Sequence, residues 1–197
     1  MPGDRHRALR YTSLMNYYGA KELAGSFRTV RNNTITIAEE IPEDKYGFQP
    51  APGTRSVGQM LAHIALSTNM PQQIHGEKLT TLAGFDFPAL MRAFAAELEK
   101  PRTKAQIVGL LRENGERYAG WLEALSDDFL GQVVTMPPGG QPASRTRFDM
   151  LLGAKEHEMH HRGQLMLVER MLGITPHLTR RMQEHMAQAA QAANQKQ

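Results

Sequence analysis

Apolar residues recur every three to four positions through four long stretches of this chain, and no series of alternating strands interrupts them. Leu14, Tyr17, Tyr18, Leu23, Phe27, Val30, Ile37 and Ala38 mark the first helix, over about 12–40, and Pro42 ends it. Its N-N-T-I-T-I run at 32–37 is β-prone in isolation. Ser56 and Gln59 have the spacing of a capping box and open a second helix that runs to about Met70, with Pro71 behind it. Residues 72–87 are mixed, and Pro88 fits the first turn of a shorter segment over 88–99. A third long helix is expected over 103–125, with Thr103 as its cap. The fourth opens at Thr146 and runs to about Leu172, where Gly173 suits the position after the last turn. Residues 42–55 and 126–144 read as connections, the second with a short extended piece at 132–136. After Pro176 a polar helix fades into AQAAQAANQKQ, which has helix propensity but nothing to bury and is expected to fray.

The fold class that follows is all-α: a four-helix bundle with room for an extra C-terminal helix. The expected organisation is a flexible N-terminus over 1–11, one bundle domain over 12–176 and a polar helical tail over 177–197. A length of 197 residues suffices for one domain with a sizeable core. The net charge is only +3 and the basic residues are scattered, which disfavours a nucleic-acid partner. The absence of cysteine removes disulfides, thiolate ligands and a cysteine nucleophile, and fits a reducing compartment. No secretory leader or long apolar span is read, so the expected location is cytoplasmic, without a membrane partner.

The chemistry concentrates in K-E-H-E-M-H-H-R-G-Q-L at 155–165. His157 and His161 are four residues apart, so on a helix they share one face. At about 100° per residue, Met150, Gly153, His157, His161, Gln164 and Val168 fall in one stripe, expected to face inward. Buried imidazoles without partners cost roughly 1–3 kcal/mol each, and one cation would compensate two of them. The same spacing also occurs on solvated faces, so it does not decide the matter alone. His160 projects to one side of the pair and reads as its neighbour rather than a ligand. His63, in the second helix, lies at the edge of an apolar face; alone it reads as a core or boundary histidine, and with the pair it supplies a third vertex. His6, His75, His177 and His185 read as solvated, although the loop of His75 follows the His63 helix and could cover a site there.

Two blocks carry a resemblance to a known family: I-P-E-D-K-Y-G-F-Q-P-A-P-G-T-R-S-V-G-Q-M-L-A-H-I-A at 41–65, and T-R-F-D-M-L-L-G-A-K-E-H-E-M-H-H-R-G-Q-L-M-L-V-E-R-M-L-G-I-T-P at 146–176. The chain resembles the DinB-like (DinB/YfiT) superfamily of metal-binding four-helix bundles. The resemblance implies that His63, His157 and His161 are the ligands of one divalent ion, nickel or zinc, and that Gln164 is the glutamine that follows them. It also implies a homodimer, and an enzyme that in some members transfers a low-molecular-weight thiol to an electrophile. The residues 177–197 fall outside that pattern.

Three imidazoles leave coordination positions open, as in catalytic sites, where a divalent ion lowers the pKa of bound water or thiol. The expected function is thiol transfer to a small electrophile. Metal-dependent hydrolysis and a non-catalytic stress-response binding protein are the alternatives. Gln164 is a candidate for orienting a ligand, equally readable as a helix-contact amide. Glu156 and Glu158 point off the stripe and read as solvated or neighbouring groups. Arg28, Arg31, Arg55 and Arg162 are candidates for an acidic substrate, Arg162 reading better as a surface cation.

Overall fold

The computed structural model describes residues 18–195. Its helices are α1 (Ala20–Glu40), α2 (Val57–Ser67), α3 (Asn69–Gly76), α4 (Phe87–Leu98), α5 (Lys104–Glu123), α6 (Asp127–Gly131), α7 (Arg147–Met171) and α8 (His177–Asn194), with a 3-10 turn at Glu43–Lys45. Strands β1 (Val133–Thr135) and β2 (Ser144–Thr146) pair antiparallel between α6 and α7. No helix among the described residues is long and apolar enough to cross a membrane.

The long helices α1, α2, α5 and α7 form the bundle. Both α1 and α2 pack on α5 and on α7, so α1 faces α2 across the middle. One end of the core joins Ile35, Ile37, Ile41, Leu61, Leu111 and Leu165; the other joins Leu23, Phe27, Tyr118, Leu122 and Leu151. A smaller cluster of Ile74, Leu82, Leu90 and Val134 ties α3 and α4 to the hairpin.

Between the two ends lies a charged layer. Arg31, on α1, is 3% exposed and Glu158, on α7, is 1% exposed. The Arg31 Nε and Nη2 donate to both carboxylate oxygens of Glu158 at 2.9–3.0 Å. Nη1 donates to the Leu111 carbonyl of α5 at 2.9 Å, and Nη2 also to the Ile64 carbonyl of α2 at 3.2 Å. One guanidinium therefore reaches all four bundle helices. Gly115 makes the room: a Cβ there would lie 2.7 Å from Arg31 Cγ. These positions correct the expectations that Arg31 might meet an acidic substrate and that Glu158 is solvated.

Other differences have local causes. Residues 12–17 of the first expected helix, and the 1–11 segment expected to be flexible, lie outside the described residues; within the described residues the helix begins at Ala20, where the Glu22 carboxylate accepts from the Gly19 N–H at 2.9 Å. Tyr18, expected on the core stripe, is exposed instead and meets Phe148 edge-on. The 32–37 run is helical, as the expected first helix has it: Ile35 and Ile37 are buried in the bundle, and packing overrides β propensity. Pro71 does not stop a helix; it sits in the first turn of α3, where its missing N–H is not needed. The 126–144 connection also holds α6, capped by Ser126, and the partner strand β2 starts at its end. The tail expected to fray is helical to Asn194, consistent with the propensity of its alanines and glutamines.

The start of α8 docks on the bundle through titratable groups. Arg180 pairs with Glu40, and the buried His177, expected to be solvated, donates from Nε2 to Asn33 Oδ1 at 3.2 Å. Beneath them Glu169 is fully buried and neither carboxylate oxygen has a partner. Burial, then the nearby Glu40 charge, pushes its pKa up to about 7 from 4.5. An acid whose folded pKa is raised stabilises the fold fully below its unfolded value and loses that contribution as pH rises through the folded one. Stability should therefore decline between about pH 4.5 and 7 on account of Glu169. In Glu169→Gln that decline should flatten, and urea midpoints at pH 8 should exceed those of the wild type. Equal pH dependence in both proteins would contradict this account.

Candidate metal centre

His157 and His161 sit one turn apart on α7, whose start is set by the Thr146 hydroxyl accepting from the Asp149 N–H. His63 comes from α2, whose start is fixed by the reciprocal Ser56–Gln59 box. The packing of α2 on α7 brings the three rings together. His157 Nε2 lies 3.0 Å from His63 Nε2 and 3.1 Å from His161 Nε2. His63 and His161 are each 8% exposed.

The proton count in this cluster does not close. His161 Nδ1 lies 2.8 Å from Gln164 Oε1. An amide oxygen only accepts, so Nδ1 carries the proton and Nε2 turns a lone pair toward the cluster. The Nε2 of a neutral His157 offers either one proton or one lone pair, yet it faces two nitrogens. Every neutral assignment leaves one contact unsatisfied. Protonation does not relieve it: burial, then the Arg55 charge, lowers His63 to about 3, and burial, then His161, lowers His157 to about 4. Burial is also the main cause that lowers His161. Neutral rings with converging lone pairs are what a divalent cation requires. Two nitrogens at roughly 2.1 Å from one tetrahedral ion are about 3.4 Å apart, so the rings need open by only a few tenths of an ångström. The three residues can hold an ion.

Beside the cluster is a cavity of about 290 Å3, lined by His63 and His157 and by Met70, Met91, Phe94 and Met150 among others. The Phe94 ring meets His63 edge-on, with centroids 5.5 Å apart.

Residues 26–165, well over half of the chain, match the DinB superfamily. The chain belongs to that family. YjoA of Bacillus subtilis, an uncharacterized protein, is 24% identical over 158 residues, covering 79% of this chain and 92% of YjoA. The YjoA crystal structure superposes with a TM-score of 0.58, covering 78% of this chain and 94% of that one. YfiT of Bacillus subtilis, described as a probable metal-dependent hydrolase with an unusual four-helix bundle topology, is 17% identical with a TM-score of 0.60, covering 79% of this chain and 89% of YfiT. The colibactin self-resistance protein ClbS, seen in complex with a dsDNA, is 16% identical with a TM-score of 0.57, covering 77% of this chain and 95% of ClbS. The bundle is thus of the DinB/YfiT type, with α8 beyond it.

In this DinB protein the structure brings together His63, His157 and His161, and places Gln164 and His160 beside them. Gln164 is exposed rather than on the buried stripe, but its amide bridges His161 and His160, with Nε2 3.3 Å from His160 Nε2. Arg28 is taken up by Glu116 and Glu123. Arg55 is exposed, and its charge reaches all three histidines. Arg162 is half-buried, with Nε unpartnered. Arg147 escaped the sequence reading, and His75 was placed near the site there only through its loop. His75, expected on the surface, is 2% exposed and lines the cavity. Arg147, fully buried, stands behind it. The only signal for His75 was its place in the segment after the His63 helix.

Proposed function

We propose that this protein holds one divalent ion, nickel or zinc, on His63, His157 and His161 and uses it to transfer a low-molecular-weight thiol to a small electrophile. The observation that carries the reading is the convergence of three neutral imidazoles, two of which line an apolar cavity. The ion would supply Lewis acidity, making a bound thiol or water more acidic. Gln164 holds His161 in the tautomer that ligates. Met70, Met91, Met150 and Phe94 offer an apolar wall that receives the apolar part of the substrate. No carboxylate lines the cavity among the described residues, and Glu158 is committed to Arg31, so no carboxylate base stands beside the site to activate water. A free thiol ionises near pH 8.5 and bulk water near 15.7, so a thiol demands far less of the site.

Hydrolysis is the second reading, favoured by the description of YfiT as a probable metal-dependent hydrolase. Product analysis with and without added thiol separates the two. The reading includes a cytoplasmic homodimer, tested by sedimentation and cell fractionation, and no nucleic-acid partner; ClbS was seen with dsDNA, but the basic residues here are scattered. The first test is elemental analysis of untagged protein. About one equivalent of metal is expected in the wild type and almost none in His157→Ala or His161→Ala. A wild type that takes up neither zinc nor nickel would overturn the reading.

A further inference from the structure

His75 lies on α3, away from the three clustered histidines in sequence, yet lines the same cavity as His63 and His157. Its Nδ1 is 3.0 Å from Nη1 of Arg147. A guanidinium only donates, so Nδ1 accepts, and the one proton of the neutral ring sits on Nε2. Burial, then the Arg147 charge, keeps the ring neutral by lowering its pKa to about 4.

Arg147 is itself held still. Nε donates to Gln132 Oε1 at 3.0 Å, Nη2 to the Leu79 carbonyl at 2.7 Å, and the guanidinium lies 4.5 Å from the Phe129 ring centroid. It is fully buried with no carboxylate among these partners. A buried cation served only by neutral acceptors is costly. What it does here is fix the orientation and tautomer of His75. The Nε2–H that results has no partner among the described residues, and it is not sealed among the buried unsatisfied atoms. The cavity is the space left to it.

We propose that His75 Nε2–H is a hydrogen-bond donor to the substrate, that Arg147 is its positioning residue, and that the substrate class is an apolar molecule bearing a carbonyl or similar acceptor oxygen. The methionines and Phe94 take the apolar body; His75 takes the oxygen. A neutral donor suits a site beside a cation, since an imidazolium there would repel the ion, and it strengthens its bond as negative charge develops on the oxygen. The proposal rests on the cavity being the substrate site of the metal centre, but not on the identity of the nucleophile.

The test uses two probes of like shape, acetophenone and ethylbenzene, titrated into the full-length protein, metal-free and zinc-loaded, and followed by nitrogen-15 imidazole NMR. In the wild type His75 should show the Nε2–H tautomer. Acetophenone should bind about three- to tenfold more tightly than ethylbenzene, the span of one net hydrogen bond, and should move the His75 Nε2 resonance. In His75→Phe the two probes should bind alike, while zinc stoichiometry stays that of the wild type. An Nδ1–H tautomer, a wild type that binds neither probe or does not discriminate, or a His75→Phe protein that keeps the preference would each overturn the proposal. The wild-type results decide even if the variant does not fold. Failure of the wild type to take up zinc would instead remove the metal centre, a separately measured outcome.

Discussion

Glu158→Ala is expected to lower folding stability by about 3–5 kcal/mol, because it leaves the Arg31 charge buried without its partner. The carboxylate accepts from both Nε and Nη2 of Arg31, and both side chains are almost fully shielded from water. In water such a pair would matter little; here the remaining guanidinium cannot be resolvated without opening the bundle. For a chain of this size the melting midpoint should fall by roughly 6–20 °C. The double replacement Arg31→Met/Glu158→Leu should recover much of the loss, since apolar groups of similar volume carry no unpaired charge. A loss below about 1 kcal/mol in Glu158→Ala, within the range of exposed pairs, would mean that water reaches Arg31. Glu158 also follows His157 directly, so the variant should weaken metal uptake even where it remains folded.

Zinc should raise the melting midpoint of the wild type and leave that of His63→Ala almost unmoved. A ligand that binds only the folded state, at a hundred times its dissociation constant, stabilises by about 2.7 kcal/mol. Two ligands on α7 remain in His63→Ala, but the vertex that joins α2 to α7 is gone, and with it the coupling between metal binding and the closing of the bundle. Gln164→Ala should behave between these limits, with affinity reduced roughly 10–100-fold through the freed His161 ring. Scanning calorimetry with and without zinc distinguishes the three proteins. An equal zinc shift in wild type and His63→Ala would place the ion elsewhere.

Local signals account for what could be read before any coordinates. The His157–His161 spacing defines a shared face by helix geometry alone, and Ser56, Thr103 and Thr146 cap the helices where their side chains predict. His63 was within reach because a two-histidine face asks for a third donor, and family resemblance supplied its position. The residues that were misread are polar groups whose partners are distant in sequence. Arg31 and Glu158 are 127 positions apart, and Arg147 and His75 are 72. Polar residues are usually outside, and no periodicity reveals that two of them will meet inside. Pro71 was misjudged for the related reason that tertiary packing outranks local preference, whereas the 32–37 run is helical, as the helix expected over about 12–40 required.

Helix α4 is joined to the bundle chiefly through α2, and only Leu90 of its residues is buried. It nevertheless contributes Met91 and Phe94 to the wall of the cavity. The layer built on Arg31, by contrast, involves α1, α2, α5 and α7 and no residue of α4. Part of the cavity wall and the charged layer therefore sit on separable pieces of the chain. A cassette exchange confined to Phe87–Leu98 would reshape the apolar wall beside the histidines while leaving untouched the Arg31 layer and the Leu79 carbonyl that holds Arg147.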